Sequence, residues 1–224
     1  MVKNQLEGAG MKTAVYFGGT FDPIHQEHIR VCDLAYNAVR PDKLMLAPAP
    51  DGLCKRAAAS AEQRLQMCRI AARDRPWLEV SDIEIKQNVR YSADALFHLL
   101  EQGEYSKIWF LLGEDQFSTL PQWRGWERIV KIADILAVHR NGELLFPENT
   151  ARAEQLLQQA SARVRWLDET PAAVSSSKIR KDLLEGKRPQ GLSDTVFAYI
   201  LESGLYTGSL LDRSAAPAKL RKAR

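Results

Sequence analysis

The chain has 224 residues, of which 45% are hydrophobic and 26% are charged. These proportions are those of an ordinary globular protein and exclude a disordered, collagen-like or coiled-coil chain. Lys and Arg outnumber Asp and Glu by 31 to 28, for a net charge of +3. Residues 209–224 alone carry +4, which leaves −1 for residues 1–208. The basic balance therefore belongs to the last residues and does not predict a nucleic-acid or membrane partner.

The cysteines and the apolar runs indicate the cellular compartment of the protein. Cys32, Cys54 and Cys68 are an odd set without C-x-x-C spacing, so they predict neither a disulfide framework nor a zinc ribbon and fit a reducing cytoplasm. The first ten residues lack an apolar core, and no run approaches the roughly 18 apolar residues of a membrane span. We expect a cytoplasmic protein with an extension at 1–10, one domain over 11–208 and a disordered tail at 209–224. The sequence leaves the oligomeric state open.

Short apolar runs alternate with helical patterns along the chain. The predicted strands are 13–17, 43–47, 78–82, 107–112, 134–138 and 164–167. The first helix is predicted to have Asp22 as its N-cap and Pro23 in its first turn. Further helices are predicted at 60–73, 92–103, 123–131, 151–160, 177–185 and 193–202. This order predicts an α/β fold, a Rossmann-like doubly wound parallel sheet whose ligands bind beyond the carboxyl ends of the strands.

The loop that follows the first strand, residues 18–28, reads GGTFDPIHQEH. A glycine pair lets the backbone approach a ligand, and the next helix offers N–H groups to an anion. His25 and His28 are three residues apart, so both imidazoles can face one side and donate to a polyphosphate. Two alternatives stay open: a plain turn with two structural histidines, or a metal site that would have only Asp22 as a further ligand.

A second candidate anion site lies at residues 174–180, which read VSSSKIR. Ser175 or Ser176 can cap the helix that follows. The serine hydroxyls, the free backbone N–H groups and Arg180 at the start of that helix favour binding of a phosphate. The alternative is a capped amphipathic helix with Ile179 inside and Lys178 in solvent. Two anion sites at the strand ends of one sheet point to a nucleotide more strongly than either site alone.

Four segments carry a resemblance to a known family. Residues 18–28 resemble its G-G-T-F-D-P-x-H-x-G-H motif, 174–180 its I-S-S-T-x-I-R motif, 111–115 its L-x-G-x-D segment and 120–126 its L-P-x-W-x-x-W segment. Residues 12–207 as a whole resemble the bacterial nicotinate-nucleotide adenylyltransferase family, of the nucleotidyltransferase superfamily with H-x-x-H sites. The resemblance implies transfer of the adenylyl group of ATP to nicotinate mononucleotide, giving nicotinate adenine dinucleotide (deamido-NAD) and pyrophosphate in NAD biosynthesis.

The resemblance also implies roles for individual residues. His25 and His28 match the histidines that contact the ATP phosphates and stabilise negative charge there. Residues matching the ATP and phosphate site are Gly18, Gly19, Thr20, Phe21, Lys55, Asp115, Ser176, Ser177 and Arg180. Those matching the nicotinate mononucleotide site are Trp123 for ring stacking, the backbone N–H of Arg124 and the Ser92 hydroxyl. Mg²⁺ is expected on the ATP phosphates without a protein ligand, and the expected partners are these small molecules, without nucleic acid or membrane.

The sequence departs from the family pattern at three positions, and other readings remain. Glu27 stands where the motif has glycine, Cys54 where it has histidine, and Ser177 where it has threonine. Trp123 and Trp126 could instead form one apolar helix face. Alternative functions are an adenylyltransferase that prefers nicotinamide mononucleotide or phosphopantetheine, and a non-catalytic nucleotide-binding or nucleic-acid-binding protein. Phosphopantetheine is disfavoured because it has no aromatic ring to stack on Trp123.

Overall fold

The computed structural model describes residues 12–52, 57–139, 146–167 and 174–206. Six parallel strands form one sheet: β1 (Thr13–Gly19), β2 (Lys43–Pro48), β3 (Leu78–Val80), β4 (Lys107–Gly113), β5 (Asp134–Val138) and β6 (Val164–Leu167). All six predicted strands are present. The predicted phosphate ligand Lys55, the neighbouring Cys54, the extension at 1–10 and the tail at 209–224 fall outside the described residues.

Helices cover both faces of this sheet. They are α1 (Gln26–Val39), α2 (Ala61–Ala72), α3 (Ile83–Lys86), α4 (Ser92–Glu101), α5 (Glu114–Phe117), α6 (Trp126–Ile132), α7 (Pro147–Gln159), α8 (Ser176–Leu184) and α9 (Asp194–Glu202), with a 3-10 turn at Leu120–Gln122. None of the described helices is long and apolar enough to cross a membrane.

The strand order is β3-β2-β1-β4-β5-β6. Successive strands are added on one side of β1 as far as β3, and from β4 onward on its other side. Alternate residues of each strand enter two separate cores, as Val15 and Tyr16 of β1 illustrate. The Val15 core is covered by α1, α2, α8 and α9, and the Tyr16 core by α4, α6 and α7. Burial on both faces explains why the strands read as continuous apolar runs. The predicted doubly wound parallel sheet is confirmed, and its switch point lies at the carboxyl ends of β1 and β4.

The predicted start of α1 is wrong. The helix begins at Gln26, with His25 in extended conformation (φ −143°, ψ 172°) at the N-cap. Asp22 does not cap it, because its carboxylate accepts the backbone N–H groups of Ala58 (2.8 Å) and Ala59 (3.1 Å) instead. The competing long-range hydrogen bonds override the local capping signal.

Other element boundaries also differ from the prediction. α6 begins at Trp126 rather than 123, α7 begins at Pro147 rather than 151, and β3 ends at Val80 rather than 82. The short helices α3 and α5 were not predicted, because a single turn contains too few residues to show periodicity. Trp123 lies before α6 with extended backbone (φ −77°, ψ 143°). Trp123 and Trp126 therefore do not form one face of a helix.

Candidate active site

The candidate site lies at the switch point, where β1 and β4 end side by side. β1 ends with Gly18 and Gly19, and β4 ends with Gly113, directly before Glu114 and Asp115 in α5. Parallel pairing of β1 with β4 puts both ends at the same edge of the sheet. This is the edge at which open α/β sheets bind ligands.

The two histidines of the first loop form a stacked pair. The ring centroids of His25 and His28 are 3.7 Å apart, with 23° between the ring planes. His28 Nδ1 accepts a hydrogen bond from the backbone N–H of His25 (3.2 Å), and the Phe21 ring meets His28 edge-on at 5.0 Å. The histidines thus face the same side, as predicted. The backbone N–H of Gln26 donates to the Gly191 carbonyl at 2.8 Å, so the protein itself uses that amide.

Helix α8 docks on the first loop and brings the two predicted anion sites together. The Ser176 hydroxyl donates to the Pro23 carbonyl (2.9 Å), and the Arg180 guanidinium donates to the Asp22 carbonyl. Ser175 is the N-cap, since its hydroxyl accepts the backbone N–H of Lys178. The first amide groups of α8 have no partner within the helix. Arg180 Nη2 lies 3.5 Å from the Ser177 hydroxyl, so the predicted phosphate-binding groups of α8 are adjacent.

Asp22 connects the first loop to the C-terminal helices. Its buried carboxylate accepts the Tyr206 hydroxyl at 2.6 Å and lies 3.6 Å from the guanidinium of Arg180. Burial of Tyr206, together with its hydrogen bond to Asp22, raises the pKa of that phenol well above its usual value. The Tyr206 phenol therefore stays protonated and donates to Asp22, and together with Arg180 these groups connect the loop to the last helices.

Arg64 of α2 is a second buried support for the same loop. Its side chain is 1% exposed and donates to the carbonyls of Thr20 (2.8 Å), Ala49 (2.7 Å) and Ala59 (3.2 Å). It also pairs with the Asp51 carboxylate at 3.0 Å. The guanidinium thus connects the segments that follow β1 and β2 with the start of α2.

A buried acid lies beside Gly18. The Tyr16 hydroxyl donates to Glu84 Oε1 at 2.5 Å, and a methyl group added at Gly18 would lie 3.5 Å from the same oxygen. Burial raises the pKa of Glu84 to about 6, although the hydrogen bond from Tyr16 acts in the opposite direction. The carboxyl group therefore titrates close to neutral pH.

The predicted acceptor residues lie on the Tyr16 side of the sheet. Trp123 Nε1 donates to the Thr119 hydroxyl (3.2 Å), and the indole meets the Phe110 ring edge-on at 6.3 Å. Ser92 is the first residue of α4. Arg124 Nη1 donates to the hydroxyl of Tyr91 at 3.2 Å, so the Trp123 segment lies against the beginning of α4. Ser92, Trp123 and Arg124 are thereby brought to one region.

Sequence reasoning found the motif residues and missed the residues that support them. The missed residues are Tyr16, Asp22 as a loop anchor, Arg64, Glu84, Tyr91, Phe110, Thr119 and Tyr206. Arg64 could have been recognised from the sequence, since it falls on the buried face of α2 with Ala61, Leu65 and Cys68. A charged residue on a buried helix face needs a polar partner. The remaining ones left no such local signal.

Comparisons with known proteins agree with this geometry. A cytidylyltransferase-like family model matches residues 16–182. A probable nicotinate-nucleotide adenylyltransferase of Bordetella avium is 34% identical over 199 residues, covering 88% of this chain and 98% of the relative. One of Hahella chejuensis is 31% identical over 207 residues, covering 86% and 94%.

The fold is also similar to that of a solved structure. Plasmodium falciparum nicotinic acid mononucleotide adenylyltransferase complexed with NaAD has a TM-score of 0.70 at 19% identity, covering 87% of this chain and 97% of that one. This likeness supports the fold, and the sequence relatives establish the family. The family suggested by the four motifs is therefore confirmed, and the chain belongs to the nicotinate-nucleotide adenylyltransferase family.

Proposed function

We propose that the chain transfers the adenylyl group of ATP to nicotinate mononucleotide, forming nicotinate adenine dinucleotide and pyrophosphate in NAD biosynthesis. The observation that carries this proposal is the stacked His25–His28 pair at the switch point, beside the docked start of α8. Family membership supports the same reaction.

The reaction needs positioning and charge stabilisation rather than a covalent intermediate. A phosphate oxygen of the mononucleotide attacks the α-phosphorus of ATP, and the bond from that phosphorus to the bridging oxygen breaks as pyrophosphate leaves. Negative charge grows on the phosphoryl oxygens and on the leaving group. His25 and His28 are proposed to donate hydrogen bonds to these oxygens, which lowers the barrier because the donors are already oriented.

The remaining ATP contacts are proposed from the loop and from α8. Gly18, Gly19, Thr20 and Phe21 would line the nucleotide groove, with Asp115 near a ribose at the end of β4. The backbone amides of Ser176 and Ser177 at the start of α8, with their hydroxyls and Arg180, would hold phosphate oxygens from the other side. Lys55, which lies outside the described residues, stays a predicted phosphate ligand.

The acceptor is proposed to lie between Trp123 and the start of α4. A pyridinium ring can stack on the Trp123 indole, which Thr119 and Phe110 hold in place. The backbone N–H of Arg124 and the Ser92 hydroxyl would donate to the nicotinate carboxylate. Two donors favour a carboxylate, which only accepts, over a carboxamide, which also donates.

Mg²⁺ is proposed to arrive with ATP, held by phosphate and water oxygens. Within the described ranges, no cluster of three or more His, Cys, Asp or Glu side chains could hold a metal ion. The bound ion would neutralise part of the phosphate charge. We also propose the cytoplasm as the compartment.

The purified chain with ATP, Mg²⁺ and nicotinate mononucleotide should release pyrophosphate and form the dinucleotide. The variant His25→Asn should lower kcat by about 10²–10³-fold, the scale for loss of one transition-state donor. His98→Ala, on the exposed side of α4, is the matched control and should keep normal turnover. Absence of dinucleotide from the wild-type chain would refute the function, and normal kcat in folded His25→Asn would refute the role of that histidine.

A further inference from the structure

The Arg124 side chain stands out because it is fixed beside the acceptor region. Its Nη1 donates to the Tyr91 hydroxyl at 3.2 Å, and its guanidinium carbon is 4.8 Å from the centre of the Tyr91 ring. A methyl group added at Gly125 would lie 3.2 Å from Cβ of Ala93, so the two segments are in close contact. Arg124, which follows Trp123 in sequence, therefore contacts the residue that precedes Ser92.

The charge of this guanidinium is not offset by any described acid. Among the described residues, no carboxylate lies within ion-pair distance of Arg124. Arg128, one turn further along, is by contrast paired with Asp94 at 3.1 Å. The ring and hydroxyl of Tyr91 orient Arg124 without neutralising it. A positive charge is therefore held against Tyr91, at the edge of the acceptor region.

We propose that the Arg124 side chain, oriented by Tyr91, is a specificity determinant that favours an acceptor carrying a carboxylate over one carrying a carboxamide. This inference rests on the proposed function and adds a side-chain charge to the predicted backbone contact. At the partly exposed edge of a protein the attraction between two opposite charges is modest. A neutral carboxamide lacks this attraction, so the effect is expected mainly in the acid-to-amide ratio of kcat/KM.

The test uses the full chain with ATP and Mg²⁺, and compares nicotinate mononucleotide with nicotinamide mononucleotide. Arg124→Met keeps the aliphatic length and removes the charge, and should lower the acid-to-amide ratio of kcat/KM by about three- to tenfold. Arg124→Lys should restore part of the ratio. The wild-type ratio should also fall on raising the salt concentration from about 0.05 to about 0.5 M, and in Arg124→Met this dependence should weaken.

Two further variants separate the charge from its surroundings. Tyr91→Leu keeps Arg124 but removes its support, and should lower the ratio less than Arg124→Met does. Arg128→Met is the matched control, because Arg128 is equally basic but already paired with Asp94. It should leave the ratio unchanged.

The outcomes distinguish this inference from the proposed function. If the wild-type chain makes the acid dinucleotide and Arg124→Met changes the ratio less than twofold, the inference is overturned and the function stands. An equal ratio change in Arg128→Met would also overturn it, since any surface cation would then suffice. If the wild-type chain uses neither mononucleotide, the proposed function itself fails.

Discussion

Replacing Arg64 by Met should strongly destabilise the protein and disturb the first loop. The substitution removes every polar contact of the side chain while keeping a similar apolar volume. The carbonyls of Thr20, Ala49 and Ala59 then lose their donor, and Asp51 loses its cationic partner. Buried acceptors left without a donor are the expensive part of such a change.

The structure sets the size of the expected loss. Hydrogen bonds to charged groups contribute about 1.5–3 kcal/mol each, but part of that gain offsets the desolvation of the guanidinium. Removing one partner from a buried ionic network typically costs about 3–5 kcal/mol. For a domain of this size that corresponds to a fall in Tm of about 6–20 °C. Because the Thr20 carbonyl is one of the orphaned groups, the KM for ATP should rise as well.

Urea denaturation at pH 7.5 measures the free energy of unfolding. The matched control is Arg69→Met, on the same helix but 45% exposed and paired with Glu62 and Asp82 across 3.8 and 3.5 Å. Exposed pairs of this kind contribute about 0–1 kcal/mol, so the control should stay close to wild type. If the Arg64 and Arg69 variants lost stability equally, the view of Arg64 as a buried anchor would be refuted.

Three other substitutions test the remaining supports. When the pH is raised from 4.5 to 7.5, the free energy of unfolding of Glu84→Gln should rise by about 2 kcal/mol relative to that of the wild type. Burial raises the pKa of the Glu84 carboxyl from 4.5 to about 6, so this group stabilises the wild-type fold below pH 4.5. The wild type loses this contribution as the pH rises through about 6, whereas the Gln variant has none to lose. Tyr206→Phe should lower the free energy of unfolding by about 1.5–3 kcal/mol, since it removes a donor from the buried Asp22 carboxylate. Gly19→Ala should cost about 1–3 kcal/mol and raise the KM for ATP, since its methyl group would meet the Phe21 ring at 2.8 Å.

Each of these has a control on a neighbouring residue. Glu79→Gln, on an exposed side chain of β3, should show no comparable pH-dependent gain. Tyr199→Phe should be nearly neutral, since its hydroxyl makes no hydrogen bond to any described residue. Gly18→Ala would place its methyl group at ordinary contact distance, 3.5 Å from Glu84 and Tyr16, and should cost less than Gly19→Ala. Urea denaturation measures all three pairs, and equal behaviour within a pair would contradict the corresponding explanation.

Sequence reasoning succeeded where local pattern and tertiary structure require the same thing. A parallel sheet covered on both faces needs continuous apolar strands, and all six were readable. It failed at the start of α1, where Asp22 is a good local cap but binds distant amides instead. The supporting hydrogen bonds of the site join residues 44 positions apart for Arg64 and Thr20, and 184 apart for Tyr206 and Asp22. No local pattern encodes a partner at that distance.

The docking of α8 on the first loop has a consequence for how much of the chain the nucleotide site requires. The sixth strand ends at Leu167, so a chain that ended there would contain the whole sheet and lack α8. The bonds from Ser176 and Arg180 span 153 and 158 residues, and Tyr206 comes later still. A chain of that length thus contains every strand of the sheet but lacks the groups that α8 and Tyr206 contribute beside the first loop. Competence to bind ATP is therefore expected to depend on residues that follow the sheet in sequence.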